Sequence, residues 1–227
     1  MEKGILYIVA TPIGNLGDIS FRAVEILKKV DLIAAEDTRH ASILLNHYGI
    51  HTKRISYYDE IEESRSNELV EKLLQGLNLA LISDAGTPSL SDPGYRLITK
   101  ALLKEIPVVP IPGASSILAA LTASGLAMDR FAYEGFLPRK KGRQTRLREL
   151  ALEPRTIVIF ESPYRVLKTL KDLIENLGDR PAVAARELTK MFEEFRRGKL
   201  SDILRHFNEH APKGEFVILV EGNKKTK

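Results

Sequence analysis

Several loops of this chain combine glycine, proline and polar side chains in a way that suits ligand contact. The longest runs Ser83-Asp84-Ala85-Gly86-Thr87-Pro88-Ser89-Leu90-Ser91-Asp92-Pro93-Gly94. Asp84 follows an apolar run, at what should be the end of a strand, where a carboxylate can accept hydrogen bonds from ribose hydroxyls or an ammonium. Ala85 and Gly86 are small enough to admit a ligand against the backbone. Pro88, Pro93 and Gly94 fix the return into a helix. A generic connection with Asx and Ser turns would need only part of this. The density of constrained residues points to binding, with Asp84 at the strand end as a contact and the Ser91–Gly94 half as structural.

A second constellation is Glu36-Asp37-Thr38-Arg39-His40. Two carboxylates beside an arginine at a strand end can orient a hydroxyl or a base. The bland alternative is a helix start, with Asp37 or Thr38 as cap and Glu36 paired to Arg39; for Asp37 both readings stand. Thr11-Pro12-Ile13-Gly14-Asn15-Leu16-Gly17-Asp18 is a turn in which Gly14 and Gly17 permit close approach, with Asp18 or Ser20 capping the next helix. It lacks the G-x-G-x-x-G spacing, and no G-x-x-x-x-G-K-[ST] occurs, which disfavours a P-loop nucleotidase. Pro112-Gly113-Ala114-Ser115-Ser116 opens a helix whose free N–H groups suit an anion or a polar ligand. Phe160-Glu161-Ser162-Pro163-Tyr164-Arg165 and Arg186-Glu187-Leu188-Thr189-Lys190 each follow a strand, and Arg186 and Lys190 suit phosphate contacts. His206 and His210 stand four apart on a helix, but no glutamate completes a metallohydrolase motif. They read as surface residues, and no metal is expected.

The elements that must position these loops alternate almost from end to end. Strands are expected at Ile5–Ala10, Leu32–Ala35, Leu79–Ile82 and Val108–Ile111, separated by helices at Arg22–Val30, Ala41–His47, Glu63–Leu74 and Gly94–Leu103. That rhythm implies a largely parallel sheet with ligands beyond the strand C-termini. After Pro112-Gly113 the pattern changes. A small-residue helix at Ser115–Ser124 precedes strands at Phe131–Phe136, Thr156–Phe160, Ala182–Arg186 and Phe216–Glu221, and helices at Tyr164–Asn176 and Ser201–His210. Met191–Arg196 reads as an extra strand in a mixed sheet. The expected architecture is two α/β domains, 1–113 and 114–227, with largely parallel or mixed sheets.

The 227 residues contain no cysteine, which excludes disulfides, thiolate metal sites and cysteine nucleophiles. No signal peptide or membrane-length apolar stretch is visible, so a soluble, cytoplasmic protein is expected. The net charge of +4 is concentrated. Arg139, Lys140, Lys141, Arg143, Arg146 and Arg148 form one basic group, Arg196, Arg197 and Lys199 a second, and Lys224, Lys225 and Lys227 a third. A solvated helix face would explain the first group, but its place after Gly135-Phe136-Leu137-Pro138 favours a polyanionic partner.

Taken together, the loops resemble the tetrapyrrole methylase family, the class III methyltransferases. The matching pieces are Ala10–Leu16, Ala35–His40, Ser83–Pro88 with Ser91–Gly94, Pro112–Ser116, Ala123–Leu126, Gly135–Lys140, Phe160–Pro163 and Arg186–Lys190, collinear over nearly the whole chain. Their wording is closest to members that methylate a cytidine ribose 2′-hydroxyl in small-subunit (16S) ribosomal RNA. The resemblance implies S-adenosylmethionine held in a cleft between two domains, and a homodimer. Carried over loop by loop, it implies cofactor contacts at Pro12, Ser83, Asp84, Thr87, Ser115 and Ser116, with Phe160 and Leu188 as looser transfers. Asp37, Arg39 and Glu36 are the catalytic candidates, Asp37 orienting or deprotonating the hydroxyl and Arg39 holding a phosphate. Arg139, Lys140, Lys141, Arg143, Arg165 and Lys190 are the RNA-binding candidates. Tyr164 and Ser116 depart from the usual histidine and alanine. Many relatives carry a further C-terminal helical segment, so RNA affinity is expected from the basic groups or the dimer surface. Two rival readings are methylation of a small corrin precursor and a non-catalytic RNA-binding protein on the same scaffold.

Overall fold

The computed structural model describes residues 2–224. The chain divides into two compact units, Met1–Ser115 and Ser116–Lys227, where the sequence placed the division two residues earlier. Among the described residues, no helix is long and apolar enough to cross a membrane.

The first unit runs β1 (Leu6–Val9), α1 (Phe21–Lys29), β2 (Leu32–Ala35), α2 (Thr38–His47), β3 (Arg54–Ser56), α3 (Glu62–Leu74), β4 (Leu79–Ile82), α4 (Tyr95–Leu103) and β5 (Val108–Ile111). Its sheet is parallel throughout, in the order β3-β2-β4-β1-β5. Every residue of β2 and β4 is buried, as central strands covered on both faces require. Pro110 sits on the edge strand β5, where one side needs no backbone donor. Ser20 caps α1 by accepting from the Ala23 N–H, and Lys28 and Lys29 complement the other end of its dipole. Leu27 of α1 and Leu45 of α2 pack on one face of the sheet. Leu69 and Leu73 of α3 and Leu97 of α4 pack on the other. β1 and β4 are thus neighbours whose following helices lie on opposite faces, and their C-terminal ends open a crevice. The three-residue strand β3 was not foreseen.

The second unit runs α5 (Ser116–Ser124), β6 (Phe131–Phe136), α6 (Arg143–Leu152), β7 (Thr156–Glu161), α7 (Val166–Leu177), β8 (Pro181–Arg186), β9 (Glu194–Lys199), α8 (Leu200–Glu209) and β10 (Phe216–Val220). Its order is β6-β7-β10-β8-β9. Only β6 and β7 pair in parallel; the other neighbours are antiparallel, so the sheet is mixed. The extra strand lies three residues beyond Met191–Arg196, because Met191 and Phe192 turn outward into solvent. Of the third basic group, Lys225 and Lys227 lie outside the described residues, and Lys224 pairs with Glu221 at 2.6 Å.

The basic segment proved to be more than a solvated face. Arg143, expected to contact RNA, is only 5% exposed. Its guanidinium donates to Asp172 Oδ2 at 2.7 Å, to Thr169 Oγ1 at 2.9 Å and to the Pro138 carbonyl at 3.1 Å. Thr169 in turn donates to the buried Glu161 at 2.6 Å. This chain ties α6, α7 and the end of β7 together, so Arg143 is a structural cation. Truncating one partner of such a buried pair leaves the other charge uncompensated. Arg143→Ala should therefore cost about 3–5 kcal/mol. Chemical or thermal unfolding of the variant checks this, and an unchanged transition would contradict it.

Candidate functional site

Backbone hydrogen bonds stitch the strand-end loops of the first unit together. The Thr11 N–H donates to the Gly86 carbonyl at 2.8 Å, and the Gly86 N–H returns the bond to Thr11 at 3.1 Å. Thr11 Oγ1 adds a bond to the Ser83 carbonyl at 3.1 Å. Gly86 takes φ of +81°, and a Cβ there would stand 3.3 Å from Ile13 Cγ2, so this contact needs glycine. The loop after β2 joins the same knot. The Asp37 N–H donates to Asp84 Oδ1 at 3.1 Å, and the Asp84 N–H faces Glu36 Oε2 at 3.4 Å. The far end of the long loop is held from α3, where Glu62 Oε1 accepts from the Gly94 N–H at 2.9 Å and from Tyr57 at 3.1 Å. Glu62 is a positioning residue that sequence reading missed, since nothing local ties it to a loop more than twenty residues away. Ser89 and Ser91 hold left-handed conformations, φ of 72° and 67°, without being glycine. Strain of this kind collects at functional loops.

The stitching gathers carboxylates. Burial raises the Glu36 pKa, and the charges of Asp92 and Asp84 add to the effect. Burial likewise pushes Asp92 up to about 6, against a lowering by nearby Ser83 and with help from Asp84 and Asp59. Asp92 belongs to the half of the loop read as structural, and the repeated Ser-Asp pair was the available signal for its role. Ser83 is 4% exposed, and its Oγ makes no hydrogen bond of ordinary geometry, although it lies near enough to Asp92 to influence it. Asp37 differs. It caps α2 by accepting from the Arg39 N–H at 2.8 Å, and its second oxygen pairs with Arg39 Nη2 at 3.2 Å. The hydrogen bonds from Arg39 hold its carboxyl below the usual carboxylate range. Arg39 thus pairs with Asp37 rather than Glu36, while its side chain stays 91% exposed. Pro12 is buried beside Thr11, Thr87 is half-buried, and Ser115 closes the first unit.

In the second unit, Ser116 opens α5 and Phe160 lies near the end of β7. Phe160 packs edge-to-face between Tyr133, at 5.2 Å, and Phe136, at 5.7 Å. Leu188 is buried between Glu187 and Thr189, both left-handed at φ of 48° and 65°. Arg139, Lys140 and Lys141 are exposed and form no ion pair among the described residues. Arg165 is turned inward, donating to the Leu137 carbonyl at 2.6 Å and pairing with Glu161 at 3.3 Å. Lys190 is shared between Glu187 at 3.0 Å and Glu215 at 2.9 Å. His206 and His210 stack at 4.5 Å beside Glu194 and Arg196, and among the described residues no group of three or more His, Asp or Glu is placed to hold a metal.

A model of the family described as Tetrapyrrole (Corrin/Porphyrin) Methylases matches residues 5–204. The chain belongs to the tetrapyrrole methylase family. Among its relatives, "Ribosomal RNA small subunit methyltransferase I" of Synechocystis sp. is 54% identical over 96% of this chain and 79% of its own length. The protein of that name from Escherichia coli O157:H7 is 48% identical, over 98% of this chain and 79% of its own. Solved structures share the fold at low identity. A diphthine synthase aligns with a TM-score of 0.76 at 16% identity, covering 96% of this chain and 90% of its own. Uroporphyrin-III C-methyl transferase from Thermus thermophilus, complexed with S-adenyl homocysteine, aligns with a TM-score of 0.67 at 21% identity, covering 95% and 97%.

The carboxylate cluster of this tetrapyrrole methylase carries a pH signature. Because Asp92 holds its proton more tightly folded than unfolded, folding is favoured at low pH, and that contribution is lost as pH rises from about 4 through about 6. Asp92→Asn should therefore raise the melting temperature of the ligand-free protein at pH 7.5 and change it least near pH 4. An equal shift at both values would contradict the assignment.

Proposed function

We propose that this protein transfers a methyl group from S-adenosylmethionine to the ribose 2′-hydroxyl of a cytidine in small-subunit (16S) ribosomal RNA, as a cytoplasmic homodimer. The observation that carries the reading is the identity of about one half, over nearly the whole chain, to relatives named for ribosomal RNA methylation. The exposed cations Arg139, Lys140 and Lys141 support a polyanionic substrate.

The residues of the first unit fit the cofactor. The buried Ser83 hydroxyl makes no hydrogen bond of ordinary geometry although Asp92 lies near it, which favours a ligand that completes its bonding. Glu36, Asp84 and Asp92 crowd negative charge that a cationic ligand relieves. Pro12, Ser83, Asp84, Thr87 and Ser115 would hold it there; Ser116, Phe160 and Leu188 belong to the second unit and are contacts that the family resemblance implies. When bound, S-adenosylmethionine supplies a methyl group on a positively charged sulfur.

The chain's own work is to position a hydroxyl and take its proton. Glu36 suits the proton better than Asp37, because a carboxylate with a raised pKa is the stronger base. Asp37, pinned as helix cap, holds Arg39, whose exposed guanidinium is placed for a neighbouring phosphate.

Two measurements test this. Labelled-methyl transfer onto unmodified small subunits, followed by mapping, should place the label on a cytidine ribose; transfer to a base, or none by protein that binds the cofactor, would overturn the reading. Glu36→Gln should lower turnover by about a hundredfold or more. Asp37→Asn keeps a good cap and should lower it by less than about tenfold. The reverse order would return the proton to Asp37.

A further inference from the structure

The second unit contains a cleft of about 580 Å³ that the proposed chemistry does not use. Tyr133, Glu134, Phe136, Pro138, Thr145 and Arg146 are among its lining residues. Its volume lies within the range of about 300–1,000 Å³ typical of small-ligand sites. Phe136 is 53% exposed, yet its ring is braced against Phe160, which is braced in turn against Tyr133. A rigid, half-exposed aromatic ring is a surface on which a planar group can stack with little loss of side-chain freedom.

Charge distinguishes the interior of the cleft from its rim. On the α6 side of the cleft, the exposed Arg146 grips the buried Glu134 with two bonds, at 2.7 and 2.8 Å, and reaches the exposed Glu149 at 2.6 Å. One guanidinium shared by two carboxylates leaves that wall mildly negative, which repels a phosphate or a carboxylate-rich tetrapyrrole from the interior. The Pro138 side of the cleft continues directly into Arg139, Lys140 and Lys141, exposed and without ion pairs among the described residues. An uncharged planar group inside and anions at the rim describe one nucleotide of a single strand.

We propose that this cleft is a subsite for one unpaired RNA nucleotide, its base stacked on Phe136 and its flanking phosphates held by the Arg139–Lys141 loop. The proposal rests on RNA being the substrate. A base held on an aromatic ring contributes without regard to salt, whereas the loop cations act through counterion release and set the salt dependence.

The test measures binding of a short fluorescein-labelled single-stranded RNA, and of naked small-subunit RNA, by the wild-type protein and three variants. Phe136→Ala should weaken both about ten- to hundredfold while leaving the salt slope unchanged, and Phe136→Tyr should stay within about threefold of wild type. Lys140→Glu with Lys141→Glu should weaken binding and flatten the salt slope. Melting temperature should hold in all three, and S-adenosylmethionine affinity should hold in Phe136→Tyr and in the charge-reversal variant. Wild-type affinity in Phe136→Ala, with affinity lost on charge reversal, would overturn the subsite and leave RNA recognition standing. If the wild-type protein binds neither RNA, the subsite is overturned; the reading beneath it falls as well only if methyl transfer onto small subunits also fails.

Discussion

The reciprocal backbone bonds between Thr11 and Gly86 are the constraint on which the first unit's chemistry depends. They force the ends of two adjacent parallel strands to share one small patch, and a side chain at residue 86 would crowd Ile13 and strain a left-handed backbone. From that knot, Ser83 is driven into the interior and Asp84 is placed within reach of the β2 loop. Glu62 then pins the far end of the loop, so that Asp92 is folded back toward Ser83. A rigid scaffold thereby holds a loop that would otherwise be free to sample many shapes.

The consequence of that knot is electrostatic. Burial makes Glu36 and Asp92 resist ionisation, and the neighbouring carboxylates reinforce it. Such crowding opposes folding at neutral pH and persists in proteins where a ligand benefits from it. A cation with hydroxyl groups is the complementary partner. The neighbouring Asp37–Arg39 pair behaves oppositely, neutral as a unit and exposed, which separates proton handling from phosphate contact within four residues of sequence.

Much of this was legible in the sequence because parallel strands buried on both faces read as continuous apolar runs: β2 and β4 stand at the residues expected for them, as does the less buried edge strand β5. The glycine- and proline-rich loops could be recognised because few residues tolerate such turns. Other features depended on contacts distant in sequence. β3 is three residues long, with an exposed arginine at its start, and carries no periodic signal. Arg143 reads like its basic neighbours, and only Asp172 and Thr169, more than twenty residues on, draw it inward. Arg165 and Lys190 are likewise taken up by internal carboxylates, which moves the free positive charge to Arg139, Lys140 and Lys141. Asp92 reads as part of a turn because Ser83 and Asp84 meet it only after the loop has closed.

The stitched carboxylates form, on this account, the seat of a cationic methyl donor. Isothermal titration of S-adenosylmethionine in buffers of different ionisation enthalpy, repeated from pH 5 to pH 7, tests it most directly. A positive ligand must stabilise the ionised Asp92, so binding should release protons near pH 6 and affinity should rise across the window. Binding that neither releases protons nor strengthens with pH would contradict the account.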